Sequence, residues 1–565
     1  MRFDDPAGPN LIDGLRSIGR PEPRVEGKLK VTGTAHYAAD RQIALDQAYG
    51  YILGAQIAKG RITAMRVADA RETPGVIAVL AADDYSPFPS GHMNTASLFG
   101  GADVAHYHQP IALVVAETFE QARAASALIQ VDYEHEVGAY SLAEAARGAP
   151  LRAIGKAGDQ SAPIHRVGDF DGAFASAPVT VDETYTTPDQ THAMIEPHAT
   201  VAVWEGHRLT VWTSTQLVHE SQADLANSLG IPREDVHLES PYIGGGFGAK
   251  LFIRADLLLA ALGARESGRA VKLTLQRPLI ANNTTHRPAT IQRVRLGATP
   301  AGVLTALGHA STSGNLPGGM PEPAVALSKL LYGAPNREIE MRLAVLDLPE
   351  GSAMRAPGEA PGLMAFEIAM DELSEKLGMD PVELRIINDT QVDPANSERL
   401  FSERHLVECL RVGAARFGWS QRPAGPRQRR EGNALIGMGV AVGMRNNQLV
   451  KSAARIRLER NARLTVETDM TDIGTGSYTI LAQTAAEMMG VPVSQVDVRL
   501  GRSDFPISAG SGGQWGANNA TAGLYAACLR LRDMVSTRLG FDPATAHFAD
   551  GLVRDGNRSC TFEEA

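Results

Sequence analysis

The sequence predicts an α+β protein of several domains, on three observations. At 565 residues the chain is long enough for three or four units of ~100–200 residues. Short β-type runs alternate with turn signals and helical patterns along its length. One local device, a strand followed by a glycine-rich turn and a helix, recurs three times.

Residues 1–19 are polar and carry Pro6, Gly8 and Pro9, which predicts an extended arm. Over 20–135 the runs AYGYILGAQIA (48–58), GVIAVLAADD (75–84) and PIALVVAE (110–117) predict strands. The last feeds TFEQARAASALI (118–129), a helix whose Ala and Leu spacing suits a sheet surface, so a first α/β domain ends near 135. Residues 136–168 break periodicity and predict a linker. A second region, 169–405, has strands at 200–206 and 208–215 and helices near 219–229, 251–266 and 363–377. A third, 406–565, has strands at 454–460, 463–470 and 496–501 and helices at 478–489 and 520–533.

Composition narrows the class. With 44% hydrophobic and 21% charged residues the chain resembles an ordinary globular protein. The net charge of -10 is spread without long like-charge blocks, which argues against nucleic acid or an acidic membrane as partner. No apolar run approaches the ~18–20 residues of a membrane span. Cys409, Cys528 and Cys560 form no CxxC pair, so an iron–sulfur cluster would have to sit on another polypeptide. The N-terminus has neither a basic-then-apolar signal nor a twin arginine.

The three loops carry the chemistry. The first runs from Ser240 to Lys250 through Gly244, Gly245, Gly246, Phe247 and Gly248, after the strand DVHLES and before the pattern LFIRADLLLAALGAR. Glycines let backbone approach a ligand closely, and a helix N-terminus offers free N–H groups and the positive end of a dipole, a combination that favours phosphate. Gly244, Gly246 and Ala249 also fit G-x-G-x-x-A, so a Rossmann-type NAD site competes for this loop. A Walker A loop does not, because Leu251 stands where Ser or Thr would bind magnesium. The second loop is Asp472–Ser477 and the third Ser508–Asn518. One such loop is commonly a plain turn, whereas three imply a large cofactor held along its length.

At these residues the chain resembles the large, molybdopterin-binding subunit of the xanthine dehydrogenase/aldehyde oxidase family, and in particular the bacterial three-subunit periplasmic aldehyde oxidases. The resemblance runs from GRPEPRVEGKLKVTGTAHYAAD (19–40) to the end. It implies a hammerhead-type α/β domain over 20–135, then two molybdenum-cofactor-binding α+β domains, the last incomplete. Thr213-Ser214-Thr215-Gln216 matches a strand end whose glutamine reaches the molybdenum oxo group. Gly245-Gly246-Phe247-Gly248 matches the loop whose backbone meets the cofactor and whose ring shapes the pocket. Met354-Arg355-Ala356-Pro357-Gly358 resembles the segment whose arginine main chain lies near the metal. Ile473-Gly474-Thr475-Gly476 stands where the family has M-G-Q-G, at the pterin and nucleotide phosphates, with Thr475 replacing an amide. Gln514, Trp515, Gly516 and Ala517 fall near the pterin.

The same resemblance implies a cofactor of the molybdopterin cytosine dinucleotide type, with molybdenum held by the pterin and by no side chain directly. It implies partner subunits carrying 2Fe-2S clusters and FAD, and oxidation of aldehydes, aromatic ones included, to carboxylic acids with oxygen from water. The family's general base is a glutamate in a G-V-G-E segment, and none occurs between 1 and 565. The base is therefore expected beyond Ala565, the chain is read as C-terminally truncated, and the fragment alone is expected to be inactive. Glu196-Pro197-His198 matches a family motif in which a buried histidine is commonly structural. Arg445 is either a surface ion-pairing residue or a charge aimed at the substrate.

Three alternatives stay open. A purine or N-heterocycle hydroxylase of the same family is one; a carbon monoxide dehydrogenase fits less well, because Ala353 and Met354 stand where it has a cysteine. The others are a Rossmann-type NAD oxidoreductase and an inactive cofactor-binding scaffold. The resemblance favours the periplasm, reached with a signal-bearing partner, over the cytoplasm.

Overall fold

Strands from before residue 135 and strands from after residue 199 share one sheet. In the computed structural model, which describes residues 10–152, 164–394, 396–401, 403–445 and 447–565, seven strands lie side by side. Their order is Val236–Glu239, Arg208–Thr213, Ala199–Glu205, Val271–Thr274, Ala48–Gly54, Pro110–Ala116 and Val76–Ala81. Ala48–Gly54 pairs parallel with Val271–Thr274 and antiparallel with Pro110–Ala116. The sequence boundary near 135 is thus not a boundary of the sheet. Strand patterns reveal where a strand lies and not which strand it will pair with.

The run PIALVVA is buried at every position because helices cover both faces of its strand. Ile111, Leu113 and Val115 pack in one cluster with the helix Ala255–Ser267, while Ala112, Val114 and Ala116 pack in another with Phe119–Ser126. Ala255 to Ala264 are all buried, so this helix is apolar all round instead of amphipathic. Each of its buried leucines contributes about 1.5–3 kcal/mol.

A five-stranded sheet follows, in the order Ile164–Val167, Asn336–Val345, Leu304–Asn315, Thr290–Ala298 and Val179–Thr187. The helix Glu359–Leu377 packs on it through Ala365, Phe366, Ala369, Met370 and Leu373. In the last third, Arg455–Leu458, Leu464–Thr468 and Val496–Leu500 form a small sheet beneath the helices Ser477–Met489 and Trp515–Arg538. Among the described residues, no helix is long and apolar enough to cross a membrane.

Four expectations change. Residues 10–19 are not a free arm: the Ser17 and Ile18 amides donate to Glu487 and Gln483 donates to the Ser17 carbonyl, all on the Ser477–Met489 helix; residues 1–9 of that expectation lie outside the described residues. Within 136–168, the Asp347 amide donates to Ala139, Leu151 bridges to Arg342, and Ile164–Val167 is an edge strand, so broken periodicity here marks a sheet edge and not a linker; 153–163 lie outside the described residues. The helix expected from 251 starts at Ala255, which separates the first loop from the helix N-terminus. The helix expected from 520 starts at Trp515, so the third loop ends inside its first turn.

Candidate functional site

The site is assembled around Gln216. Beyond the strand Arg208–Thr213 the chain turns inward, and Ser214, Thr215 and Gln216 are all buried. Ser240 fixes this corner, donating to the Thr215 carbonyl (3.0 Å) and accepting from its amide (3.1 Å). The Gln216 side chain then joins two loops. Its Oε1 accepts from the Gly248 amide at 3.0 Å, and its Nε2 donates to the Ser511 carbonyl at 2.7 Å. Its backbone does the same, donating to Lys250 (2.7 Å) and accepting from Ser511 (3.0 Å).

The first loop is braced from below by the Glu196 motif. Glu196 Oε2 accepts from the Gly244 amide and from Lys250 Nζ, each at 2.7 Å, and the lysine side chain is completely buried. Burial pushes the Lys250 ammonium below its ordinary range, against the raising effect of Glu196. His198 is also buried, its Nε2 against the Ala249 carbonyl at 3.2 Å, and burial lowers its pKa well below 6.5. Both residues shape the loop from behind, which is the structural role of this motif.

Glycine is required at two positions here. A Cβ at Gly246 would sit 2.4 Å from Gln216 Oε1. At Gly248 (φ +112°) it would sit 2.1 Å from the Ala353 carbonyl oxygen. Phe247 between them is itself left-handed (φ 55°) and is 42% exposed as a residue. Holding a bulky residue there costs about 1–3 kcal/mol; the neighbouring contacts hold it in place.

The Phe247 carbonyl accepts from the Arg355 amide at 2.8 Å, joining the first loop to the arginine segment. That segment is held by two residues that sequence reading passed over. Arg287 donates to the carbonyls of Met354 (2.8 Å) and Arg355 (2.5 Å), and Glu322 accepts from the Gly358 amide. Burial pushes Glu322 up to about 7, against the lowering effects of that amide and of Arg287. Ala356 is left-handed (φ 62°), and Arg355 keeps an exposed side chain.

Ile473-Gly474-Thr475-Gly476 is organised by Asp472, whose Oδ1 accepts from the amides of Gly474 (3.0 Å) and Gly476 (3.2 Å). Those two N–H groups therefore face inward, and the loop's outer side is left to Thr475 and the open face of Gly474 (φ +98°), where a Cβ would meet nothing within 4 Å. Asp472 also bridges to Tyr242 at the base of the first loop. In the third loop Ser511 Oγ donates to the Thr471 carbonyl. Trp515, Gly516 and Ala517 form the first turn of their helix, whose amides have no carbonyl four residues back to bond. Arg445 Nε donates to Gln514 Oε1 at 2.9 Å and lies 3.4 Å from Glu359 Oε1.

The geometry thus gathers the sequence-predicted site residues on three loops and one arginine segment that bond to one another, with Gln216 joining two of the loops and Arg445 touching Gln514 from a separate segment. The donors left for a ligand are hydroxyls and the N-termini of the helices Ser477–Met489 and Trp515–Arg538, among them the buried and unpartnered Ser477 Oγ in the first turn of its helix. Such a set suits a phosphate-bearing polar ligand. A Rossmann site is not built: Val236–Glu239 lies at the sheet edge, three strands away from Val271–Thr274, and no helix starts at the loop.

The comparisons agree with this geometry. The chain matches the molybdopterin cofactor-binding domain over residues 156–389 and again over 413–565. It matches the a/b hammerhead domain of aldehyde oxidase and xanthine dehydrogenase over 32–137. The chain belongs to the molybdenum-binding subunits of this family. It is 60% identical over 566 residues to the aldehyde oxidoreductase molybdenum-binding subunit PaoC of Escherichia coli (strain K12), covering 100% of this chain and 76% of that one. It is 28% identical to the putative xanthine dehydrogenase molybdenum-binding subunit XdhA of the same organism, over 91% and 71% of the two chains. Among solved structures, the fold is shared with quinoline 2-oxidoreductase from Pseudomonas putida 86 (TM-score 0.80, 23% identity, 97% of this chain and 75% of that one). It is shared likewise with the aldehyde oxidoreductase from Desulfovibrio gigas (TM-score 0.79, 24% identity, 95% and 62%).

The residues present fit a molybdopterin cofactor. The open face at Gly474 leaves room for a ligand against backbone, and the first turns of the helices Ser477–Met489 and Trp515–Arg538 offer N–H groups to a pterin and phosphates. Sequence reading missed Arg287, Glu322, Lys250 and Asp472 as supports. For Asp472 a signal existed: an acid two residues before a glycine that takes positive φ.

Proposed function

We propose that this chain is the molybdenum-bearing subunit of an aldehyde-oxidising enzyme, with a cofactor of the cytosine dinucleotide type. The observation that carries this reading is the Gln216 amide, bound at once to Gly248 and Ser511 and so closing two cofactor loops on each other. The 60% identity to an aldehyde oxidoreductase subunit, against 28% to a xanthine dehydrogenase subunit, favours aldehydes over purines.

When bound, the cofactor supplies a two-electron oxidation in which the product gains its oxygen from water. The protein positions and polarises. Gln216, Gly245, Gly246 and Gly248 set the first loop, and Phe247 offers an exposed apolar ring as a wall for an aliphatic or aromatic aldehyde. Arg355 presents its backbone beside that ring. Ile473 to Gly476 and the first turn at Gln514 to Ala517 take the phosphates and pterin edge. Arg445, held between Gln514 and Glu359, is the candidate for a positive charge at the substrate side.

Electrons leave through an iron–sulfur subunit and an FAD subunit, and the assembly works in the periplasm. The test is purification of the chain, in a protein that carries the family's G-V-G-E segment, with those partners, followed by molybdenum analysis and turnover of benzaldehyde and of xanthine. Bound molybdenum with aldehyde turnover supports the reading. Turnover of xanthine alone moves the substrate to the purine class.

A further inference from the structure

We infer that Lys30, with Arg24, is a positioning residue for the second cofactor loop: an N-terminal strap sets the loop's shape through Asp472 and so governs how firmly the cofactor is held. The inference rests on the cofactor reading above and extends it to a segment outside all three glycine-rich loops.

The strap runs along the Ser477–Met489 helix. Arg16 lies 3.5 Å from Glu487, Gln483 donates to the carbonyls of Ser17 (2.9 Å) and Arg20 (3.1 Å), and the Val25 amide donates to Thr479 Oγ1 (3.1 Å). It ends in a short helix, Gly27–Val31, that delivers Lys30 to the loop. There Lys30 Nζ lies 3.0 Å from Asp472 Oδ2 while Oδ1 takes the two glycine amides. Glu26 lies 3.5 Å from the same ammonium, and the Tyr242 ring centroid lies 5.3 Å from it. Arg24 Nη1 donates to the Gly474 carbonyl at 2.8 Å.

Asp472 has no exposed surface, so its charge depends on a partner. Burial pushes its carboxyl up, and the hydrogen bond and charge of Lys30 with the two amides more than offset this, leaving it below the ordinary carboxylate range. Without Lys30 the carboxylate loses its cation, the inward turn of the Gly474 and Gly476 amides weakens, and the outer face presented by Thr475 loses its fixed shape. Supports of this kind, one step removed from a bound group, commonly change its affinity by about 10–100-fold.

The test uses the chain produced with its partners in cells that make the cofactor. Lys30→Met and Lys30→Arg are compared with wild type for molybdenum per chain after prolonged dialysis and for the thermal midpoint of cofactor-free protein. Retention in Lys30→Met is expected to weaken about tenfold, the cofactor-free midpoint to fall because the buried Asp472 carboxylate loses its cation, and Lys30→Arg to restore retention. Wild-type retention in Lys30→Met, or failure of arginine to restore it, overturns the inference alone. A wild-type chain without molybdenum overturns the functional reading together with it. Should Lys30→Met fail to fold, Arg24→Met, on a half-exposed side chain, carries the same expectation.

Discussion

Gln216 and Gly248 are joined by a 3.0 Å hydrogen bond that fixes the side-chain amide in one orientation, with its N–H group left for the Ser511 carbonyl. Two loops, 32 and 295 residues distant in sequence, are therefore closed on a single buried side chain.

Replacing that side chain breaks one or both of its links. Gln216→Ala orphans a buried donor and a buried acceptor, at about 1–3 kcal/mol each. Gln216→Glu keeps an acceptor for Gly248 and turns a carboxylate oxygen toward the Ser511 carbonyl. Urea unfolding is expected to show both variants destabilised, and both should lose bound molybdenum.

The glycines are expected to differ from one another. Gly248→Ala places a Cβ 2.1 Å from a backbone oxygen at positive φ, so the loop must move. Gly474→Ala meets open space and bears only the backbone strain of a left-handed residue, about 1–2 kcal/mol. Thermal midpoints should fall far more for Gly248→Ala, and equal effects would contradict the close approach to Ala353.

The Lys250–Glu196 pair is expected to behave as a unit. Lys250→Met leaves the Glu196 carboxylate without its cation in a mostly buried position, a loss of about 3–5 kcal/mol. Lys250→Met combined with Glu196→Gln should recover much of that loss in a denaturant double-mutant cycle. Additive losses would mean that the pair is not coupled.

Glu322 gives a pH dependence. Its folded pKa of about 7 lies above the ordinary 4.5, so the folded chain holds this proton more tightly than the unfolded chain. Its contribution to stability is complete below about 4.5 and is lost as pH rises toward 7, by about 3 kcal/mol at most. Glu322→Gln keeps an acceptor for the Gly358 amide and removes the titration. The stability of the variant relative to wild type should therefore rise between pH 4.5 and 7; a flat difference would show that the carboxyl titrates normally.

Local features of this fold were legible from composition and period. The helices at 219–229 and 478–489 appear as Val218–Leu229 and Ser477–Met489, because each closes on a left-handed glycine, Gly230 and Gly490. Pairing was not legible. PIALVVA is apolar at every position, which reveals burial on both faces and not its neighbours, so the seven-stranded sheet across residue 135 was missed. The strands Thr290–Ala298, Leu304–Asn315 and Asn336–Val345 passed unremarked, although the first partly alternates buried and part-exposed positions. At the site, glycines and Gln216 stood out because few side chains tolerate those positions. Arg287, Glu322 and Lys30 did not, since each acts across more than 30 residues and carries no local pattern.

The most direct measurement is molybdenum and released cytidine nucleotide per chain, in protein purified with its iron–sulfur and flavin partners, for wild type and Gln216→Ala. About one molybdenum and one nucleotide per wild-type chain are expected, with both greatly reduced in the variant. A wild-type chain that folds and assembles without molybdenum, or a Gln216→Ala chain that holds it as firmly as wild type, would contradict a cofactor site closed by Gln216.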